Sequence, residues 1–292
     1  MTNAEEQAHH LVNEAEKKLS PKGFLQSIFG YHKNRADDAI ECYQKAGNLF
    51  KLAKNWHQAG SAFKAAGDLN LEHNNRTEAA NDYVLASKCF EKYDISNAIN
   101  FSLSAIQIYT DLGRFTMAAK QHGNIAEIYE HNLELEKAVQ HYEQAADYFK
   151  VEENYVLAKR CLLKIAEYSS SEFQDYTKAI NIYQEIGFYD LKTPILQYNA
   201  KDNLFKAGLC HLCIDLMNAK HALDLYLDKY PAFETSMQYG FLKNIIECVE
   251  DLDEDAFSRV VRDYDNQVRL DTWHTKILLT IKKQMKEHPN LL

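Results

Sequence analysis

A regular pattern of small and large side chains runs along most of the chain. A small residue, usually Ala, is followed four positions later by a large one, and three positions after that by another small or apolar one, as in Ala39, Tyr43 and Ala46. Copies of this pattern begin at Ala39, Ala59, Ala79, Ala98, Ala119, Ala138, Ala158, Ala179 and Ala200. Positions i, i+4 and i+7 lie on one face of an α-helix. The pattern therefore predicts a helix at each copy, with the small residue at the closest approach of a neighbouring helix.

The copies follow one another at steps of 19 to 21 residues, and short polar breaks separate them. The breaks lie at residues 53–55, 73–76, 93–96, 111–114, 152–154 and 173–175. Their length suits tight connections between helices of about 2–8 residues. A step of this size gives helical hairpins of about 40 residues, close to those of tetratricopeptide and HEAT arrays. We therefore predict an all-α, tetratricopeptide-like helical-hairpin solenoid.

The pattern becomes irregular after Gly187, which predicts a second region. Residues 191–194 end in Pro and are expected to form a linker, since the residue before Pro is biased out of helix. In the last segment, residues 268–286, apolar side chains recur at helical spacing and predict one amphipathic helix. These side chains are Trp273, Ile277, Ile281 and Met285. We predict a repeat array over 1–190 and a C-terminal helical bundle over 191–292.

Composition narrows the class of function. The 292 residues carry a net charge of -9, and only 10 are Gly and 4 are Pro. The acidic balance argues against general nucleic-acid binding, which needs a basic surface. No apolar run approaches the roughly 20 residues that span a bilayer, and residues 1–18 lack the apolar core of a signal peptide. We therefore expect a cytoplasmic chain that associates with membranes peripherally at most.

The sequence contains no motif of an enzyme or of a metal site. It has no glycine-rich phosphate loop, no H-E-x-x-H and no G-x-S-x-G, so we expect no catalysis and no cofactor. Cys210 and Cys213 flank His211 in the only string that resembles a zinc motif. A structural zinc site normally needs two such pairs, and the second is missing. We therefore predict a buried thiol pair and no metal, with all six cysteines free in a reducing compartment.

An apolar segment precedes the first repeat. Residues 23–30 begin and end with Gly and contain Phe24, Leu25, Ile28 and Phe29. These side chains either pack back onto the first hairpin or insert shallowly into a membrane. Because each buried CH2 gains roughly 0.8 kcal/mol, insertion would give only a weak anchor.

Charged residues offer two candidate interaction surfaces. Basic residues recur through the array at Lys54, Lys92, Arg114, Lys120, Arg160, Lys164 and Lys201. They are either solvated side chains or, if they share one side of the array, a site for an acidic partner. An acidic group follows near the C-terminal end: Glu247, Glu250, Asp251, Asp253, Glu254 and Asp255. It is either a solubilising turn or a docking surface for a basic partner.

Three stretches of the chain resemble a known family, and the resemblance extends over nearly the whole length. They are residues 109–120, residues 141–148, and residues 269–273, which lead into residues 281–283. The chain resembles the alpha-type soluble NSF attachment proteins. The resemblance implies a non-enzymatic adaptor that binds assembled SNARE four-helix bundles and recruits a hexameric ATPase, the N-ethylmaleimide-sensitive factor, for SNARE disassembly in membrane trafficking.

The resemblance also implies roles for the charged residues. In the family, basic side chains on a concave face bind the acidic SNARE bundle, and the seven basic residues named above occupy matching positions. Two departures weaken the match: Glu91 stands beside Lys92 where the family often has a basic pair, and Met237 stands where Arg is common.

A second set of positions corresponds to the family's contact with the ATPase. These positions are Asp215, Glu247, Glu250, Asp251 and the penultimate Leu291. The family usually has an acidic run before that Leu, whereas this chain has Lys286-Glu-His-Pro-Asn290, so coupling to the ATPase is expected to be weaker or differently tuned. Phe24 and Leu25 match the family's membrane-touching loop.

Two functions from other classes stay open on the residues alone. One is a general tetratricopeptide scaffold that binds short peptide tails in a groove. The other is a peripheral lipid-binding protein in which the apolar segment at 23–30 is the active part.

Overall fold

A computed structural model describes residues 3–20 and 32–287. Within these residues the chain forms fourteen α-helices and one short 3-10 helix, and it has no β-strand. The helices are α1 (Asn3–Leu19), α2 (His32–Leu52), α3 (Trp56–Glu72), α4 (Arg76–Phe90), α5 (Ile95–Asp111), α6 (Phe115–His131), α7 (Leu135–Val151), α8 (Tyr155–Ser171), α9 (Tyr176–Asp190), α10 (Gln197–Leu212), α11 (Leu216–Lys229), the 3-10 helix Pro231–Thr235, α12 (Met237–Glu250), α13 (Glu254–Gln267) and α14 (Thr272–Glu287). The predicted all-α class of helical hairpins is confirmed.

The twenty-residue step of the sequence is the length of one helix and one connection. Helices α3, α5, α6 and α7 each have 17 residues, and most connections between them have three. The Ala residue that begins each copy of the pattern, from Ala39 to Ala200, is fully buried. At Gly47 the approach is closer still, since a Cβ atom there would lie 2.8 Å from the Phe63 ring. Small residues thus set the helix spacing, as predicted.

Most connections use one left-handed residue to end the preceding helix. Lys54, Asn74, Gly113, Leu133 and Glu153 have φ between 54° and 68°. In each, the N–H of the next residue donates to the carbonyl five positions back, as from Asn55 to Phe50 at 2.8 Å. This Schellman-type arrangement satisfies carbonyls that the helix end leaves unpaired. The connection at 132–134 is absent from the predicted breaks, because the apolar Leu133 interrupts its polar residues.

The described residues divide into two compact units, Met1–Ala158 and Lys159–Leu292. Unit 1 and unit 2 below refer to these ranges. In unit 1, consecutive helices pack against each other from α1 to α7. Its core is built from Ala residues and rings, among them Phe50, Phe63, Phe90 and Tyr109. The predicted change of pattern near residue 190 remains a prediction, because the unit boundary reports packing rather than repeat regularity.

Unit 2 is closed by its last helix. The side chains predicted for the inner face of α14, Trp273, Ile277, Ile281 and Met285, are buried. The Trp273 indole donates to the Ser170 hydroxyl on α8 at 2.9 Å, and the Gln284 amide donates to the Cys213 carbonyl at 2.9 Å. Helix α14 therefore contacts segments that precede it by about seventy to one hundred residues.

The final helix begins four residues later than predicted. Val268 has an extended backbone and ends α13, and the N–H of Leu270 donates to the Asp265 carboxylate at 2.8 Å. Asp271 then caps α14 by accepting from the N–H of His274 at 2.8 Å. Helical spacing alone missed this break, because the residues on both sides of it share the same apolar period.

Candidate interaction surfaces

In unit 1 the connections between helices lie alternately at two edges. Consecutive helices are antiparallel, so the connections after α2, α4 and α6 share one edge, and those after α3, α5 and α7 share the other. Side-chain contacts at the two edges agree with this arrangement: Asn55 donates to Glu5 at the first edge, and Arg76 pairs with Asp111 at the second.

The four predicted cations of unit 1 fall into two groups. Lys54 and Lys92 lie in the connections after α2 and α4, at the same edge. Arg114 precedes α6 at the opposite edge, and Lys120 lies on α6 itself, between one and two turns into the helix. All four are exposed. Lys54 and Lys92 therefore share one edge of unit 1, and Arg114 lies at the opposite edge, at the end of α6 nearer to Lys120.

Unit 2 places two predicted cations on one helix face. Arg160 and Lys164 are four residues apart on α8, so their side chains are neighbours on adjacent turns. The Lys164 ammonium lies 5.6 Å from the centre of the Tyr168 ring, one turn further along. Lys201 lies near the start of α10, and its ammonium stands 3.6 Å from the centre of the Tyr198 ring, which is 70% exposed. Both sites combine a cation with an accessible aromatic ring.

Several of the predicted cations differ from other basic residues in their partners. Among the described residues, Lys54, Arg114, Lys120 and Arg160 have no carboxylate within ion-pair distance, and Lys92 has only Glu91 at 3.5 Å. By contrast, Lys45, Lys64, Lys137 and Lys276 pair with carboxylates at 2.5–2.6 Å. A cation without an internal partner keeps its charge available to an external one.

The acidic residues predicted to bind the ATPase meet at one end of unit 2. The connection after α10 (213–215), the connection after α12 (251–253) and the last turn of α14 all lie there, and we call this region the acidic end. Lys220 of α11 bonds to Glu250 of α12 at 2.5 Å, and Lys286 of α14 pairs with Glu254 of α13 at 3.2 Å. Asp215, Glu247, Glu250 and Asp251 thus belong to a single region.

Some of the acidic residues cap a helix, and others do not. Asp215 caps α11, where its carboxylate accepts from the N–H of Asn218 at 2.7 Å. Asp253 caps α13 in the same way through Ala256 at 2.8 Å. The Glu247 side chain is exposed and its carboxylate accepts no capping bond, and the Glu250 carboxylate has only its pair with Lys220. Substitution of Glu247 or Glu250 therefore changes the surface charge without removing a helix cap.

The acidic end also contains exposed apolar side chains that are absent from the predicted site. Ile214, Met217 and Leu252 are 42%, 60% and 40% exposed, and they stand beside Asp215 and Asp251. Helical periodicity assigns large apolar residues to the core by default, so it does not predict that these three are exposed. Their positions in connections or in the first turn of a helix were the sequence signal that could have indicated exposure.

Buried titratable groups lie in the interior of unit 1. Burial raises the pKa of Asp82 to about 6, although hydrogen bonds from Asn70 and Gln44 favour its charged form. Burial lowers the pKa of His122 to about 4, and its Nδ1 lies 3.0 Å from Nδ1 of His141, whose pKa burial also lowers. Both imidazoles are therefore neutral near pH 7, and one nitrogen of the pair donates to the other.

The chain is similar to known proteins over nearly all of its residues. The family model described as "Soluble NSF attachment protein, SNAP" matches residues 6–286. The chain is 44% identical over 290 residues to the alpha-soluble NSF attachment protein of Mus musculus, covering 98% of each chain. It is 45% identical over 284 residues to the Homo sapiens alpha protein, covering 97% of this chain and 96% of that one. It is 44% identical to the beta-soluble NSF attachment protein of Bos taurus, covering 98% and 97%.

The chain belongs to the soluble NSF attachment protein family. The resemblance inferred from three short stretches is thereby confirmed over nearly the full length.

Some expectations for this family member fall outside the described residues. Phe24, Leu25, Ile28 and Phe29 of the apolar segment lie there, and so does Leu291. The two departures from the family pattern lie within the described residues. Glu91 contacts Lys92, and Met237 begins α12 with 46% of its surface exposed.

In residues 3–20 and 32–287, no group of three or more His, Cys, Asp or Glu side chains is placed to hold a metal ion. Cys210 and Cys213 are buried free thiols, as predicted. No helix in the same residues has both the length and the apolar character needed to cross a membrane.

Proposed function

We propose that this chain is a non-enzymatic adaptor that binds assembled SNARE four-helix bundles and recruits the N-ethylmaleimide-sensitive ATPase that disassembles them. The proposal rests mainly on which basic side chains have a carboxylate partner within the chain and which have none. Lys54, Arg114, Lys120 and Arg160 match SNARE-binding positions of the family, and these four are exposed without a carboxylate partner among the described residues. A long acidic coiled coil supplies such partners along its length.

The binding energy comes from many modest contacts. An exposed ion pair contributes about 0.2–1 kcal/mol, so no single cation holds the bundle. Unit 1 contributes Lys54, Lys92, Arg114 and Lys120, and unit 2 contributes Arg160, Lys164 and Lys201. When several copies of the adaptor bind one bundle, their contacts add through avidity. The rings of Tyr168 and Tyr198 hold Lys164 and Lys201 in place and reduce the entropy lost on binding.

Reversing the charge of Lys120 and Lys164 together tests the SNARE contact. We expect about tenfold weaker binding or more, since each reversal replaces an attraction of up to about 1 kcal/mol with a repulsion. The loss should shrink as salt is added, because salt screens exposed charges. Co-sedimentation with a preformed SNARE bundle measures it.

The matched control reverses Lys45 and Lys137. Both are exposed lysines that pair with Glu41 and Glu134, and they lie outside the seven positions that match the family's SNARE-binding residues. This control is expected to bind the SNARE bundle almost as well as the unmodified chain. Unchanged binding of the Lys120 and Lys164 variant at about 0.15 M salt would contradict the proposed contact.

For the ATPase, we propose that the acidic end of unit 2 and Leu291 make the contact. Neutralising Glu247→Gln and Glu250→Gln together is expected to reduce stimulation of the ATPase about threefold to tenfold, from two exposed charge contacts of up to about 1 kcal/mol each. SNARE binding should be unaffected. Glu136→Gln with Asp147→Gln, two exposed acids of α7 in unit 1, is the control. Equal stimulation by the Glu247 and Glu250 variant would remove this surface from the proposal.

Contact with the membrane is proposed for Phe24, Leu25, Ile28 and Phe29. Two Phe, one Leu and one Ile provide a weak anchor that raises the local concentration of the adaptor near membrane-anchored SNAREs. The adaptor is then cytoplasmic and peripherally associated with membranes.

A further inference from the structure

Three exposed apolar side chains lie among the carboxylates of the acidic end. Ile214 precedes Asp215, Met217 is the second residue of α11, and Leu252 follows Asp251. They come from two connections that are distant in sequence, yet both belong to the same end of unit 2. Scattered apolar residues on a surface are common, but three at one end of a unit indicate a binding surface.

Helix geometry and one ion pair place the helix face of Met217 next to the carboxylates. Met217 and Lys220 are three residues apart on α11 and share a helix face. Lys220 bonds to Glu250, and Glu250 shares its face of α12 with Glu247. The Met217 side chain thus lies beside the residues proposed to bind the ATPase.

The position of Leu252 is unusual for a leucine. Its φ of 55° places it in the left-handed region, which Gly and Asn occupy with less strain. Asp253 donates its N–H to the Cys248 carbonyl at 3.0 Å, so the connection has the same form as those of unit 1. The turn therefore carries a large apolar side chain that is 40% exposed at a position where a small residue suits the backbone better.

We propose that Ile214, Met217 and Leu252 form an apolar anchor that enters a recess on the basic surface of the ATPase. The inference rests on the proposed function and names a second component of the same contact. The surrounding carboxylates select a partner with positive charge, and the three apolar side chains select one with an apolar recess between its basic residues. Charge complementarity excludes an acidic partner, such as the SNARE bundle, from this end.

The charged and the apolar parts of the contact differ in how strongly salt weakens them. Ion pairs at an exposed surface are screened as salt increases, whereas contact between apolar surfaces is not. Binding of the intact chain should therefore have a salt-sensitive part, due to Glu247, Glu250 and their neighbours, and a salt-resistant part, due to the anchor.

The experiment measures binding of the full-length chain to the hexameric ATPase at about 0.15 M and about 0.5 M salt. It compares the unmodified chain with Met217→Ser, Ile214→Ser combined with Met217→Ser, and Glu247→Gln combined with Glu250→Gln. Leu279→Ser is the matched control, because Leu279 is 62% exposed but lies on α14 between Lys276 and Lys283. Thermal unfolding of each variant verifies that it folds, and Met217→Ser alone removes the most exposed of the three side chains.

We expect the Ile214 and Met217 double variant to lose at least tenfold in affinity at high salt, with Met217→Ser losing part of this. The Glu247→Gln and Glu250→Gln double variant should lose affinity mainly at low salt, and Leu279→Ser should lose affinity at neither salt concentration.

Three outcomes would contradict these expectations. If the Ile214 and Met217 double variant binds as the unmodified chain does at both salt concentrations, the anchor is wrong while the acidic contact stands. If it changes the sedimentation of the free chain, the surface joins two copies and the anchor is also wrong. If the unmodified chain also fails to bind the ATPase when it is presented on a SNARE bundle at about 0.15 M salt, the proposed function fails as well.

Discussion

Asp82 is the clearest case in which a single residue departs from what its type predicts. It lies on α4 with 2% of its surface exposed, and it accepts hydrogen bonds from Asn70 of α3 at 2.8 Å and from Gln44 of α2 at 3.0 Å. Two amides thus replace water around a buried carboxyl group without supplying a positive charge. The network joins three consecutive helices of unit 1.

The raised pKa of Asp82 makes the stability of the chain depend on pH. Its folded pKa of about 6 exceeds the ordinary 3.8, so this group's contribution is fully present below pH 3.8 and is lost as pH rises through 6. Replacement by Asn removes the titration. From pH 5 to pH 7 the unmodified chain should therefore lose about 1 kcal/mol of stability relative to Asp82→Asn. Urea unfolding of both proteins at the two pH values measures this, and a constant difference would contradict it.

The helix connections show how structure is specified at the scale of the element. Five of the six connections that follow α2 to α7 contain a left-handed residue, but of the five only Gly113 is a glycine. In the others, packing of the two helices on either side fixes the turn and overrides the preference of the residue. The backbone strain of about 1 kcal/mol per residue is offset by the buried faces of the hairpin.

Replacing Leu133 tests this balance. Leu133 has φ 61° and is 82% exposed, so its side chain contributes little packing. Leu133→Gly should stabilise the chain by about 0.5–1 kcal/mol, the left-handed strain relieved less the extra freedom of Gly in the unfolded chain. Leu133→Ala, which keeps a Cβ, should give no such gain. A chain that is equally stable with Gly and Ala, by denaturant unfolding, would show that the turn is not strained.

At the scale of the whole molecule, two units divide the roles. Unit 1 carries four of the proposed SNARE-binding cations and the apolar segment that precedes α2, and unit 2 carries three cations and the acidic end. Unit 2 also depends on contacts that are distant in sequence, such as Trp273 with Ser170 and Lys276 with Glu172. In unit 1, contacts between neighbouring helices are sufficient, as in other repeat arrays.

The proposed membrane contact can be tested on the whole adaptor with membrane-anchored SNARE bundles as its substrate. Phe24→Ser with Leu25→Ser should weaken binding to lipid vesicles and slow disassembly of membrane-anchored SNAREs several-fold, because local concentration falls with the lost apolar contact. Disassembly of SNARE bundles without a membrane anchor should proceed at the normal rate. A variant that is equally active on both substrates would show that the segment does not act through the membrane.

The amino-acid sequence by itself determined the helical class, the twenty-residue step and the family. Each of these depends on residues that are close together in the sequence. In the repeat these are Ala at the closest approach, a large residue four positions later, and a short polar break. It also indicated every charged position of the two candidate surfaces, because charge is a property of the residue.

Only the tertiary structure decided which of those charges are available and what lies beside them. Lys276 and Lys120 look alike in the sequence, but folding places Glu172, which follows α8 about one hundred residues away along the chain, beside Lys276 and no carboxylate of the described residues beside Lys120. Likewise, the pair between Lys220 of α11 and Glu250 of α12 brings the helix face of Met217 to the acidic residues of α12. Ion pairing and exposure depend on side chains that other helices bring within a few ångströms, and no local pattern encodes those distances.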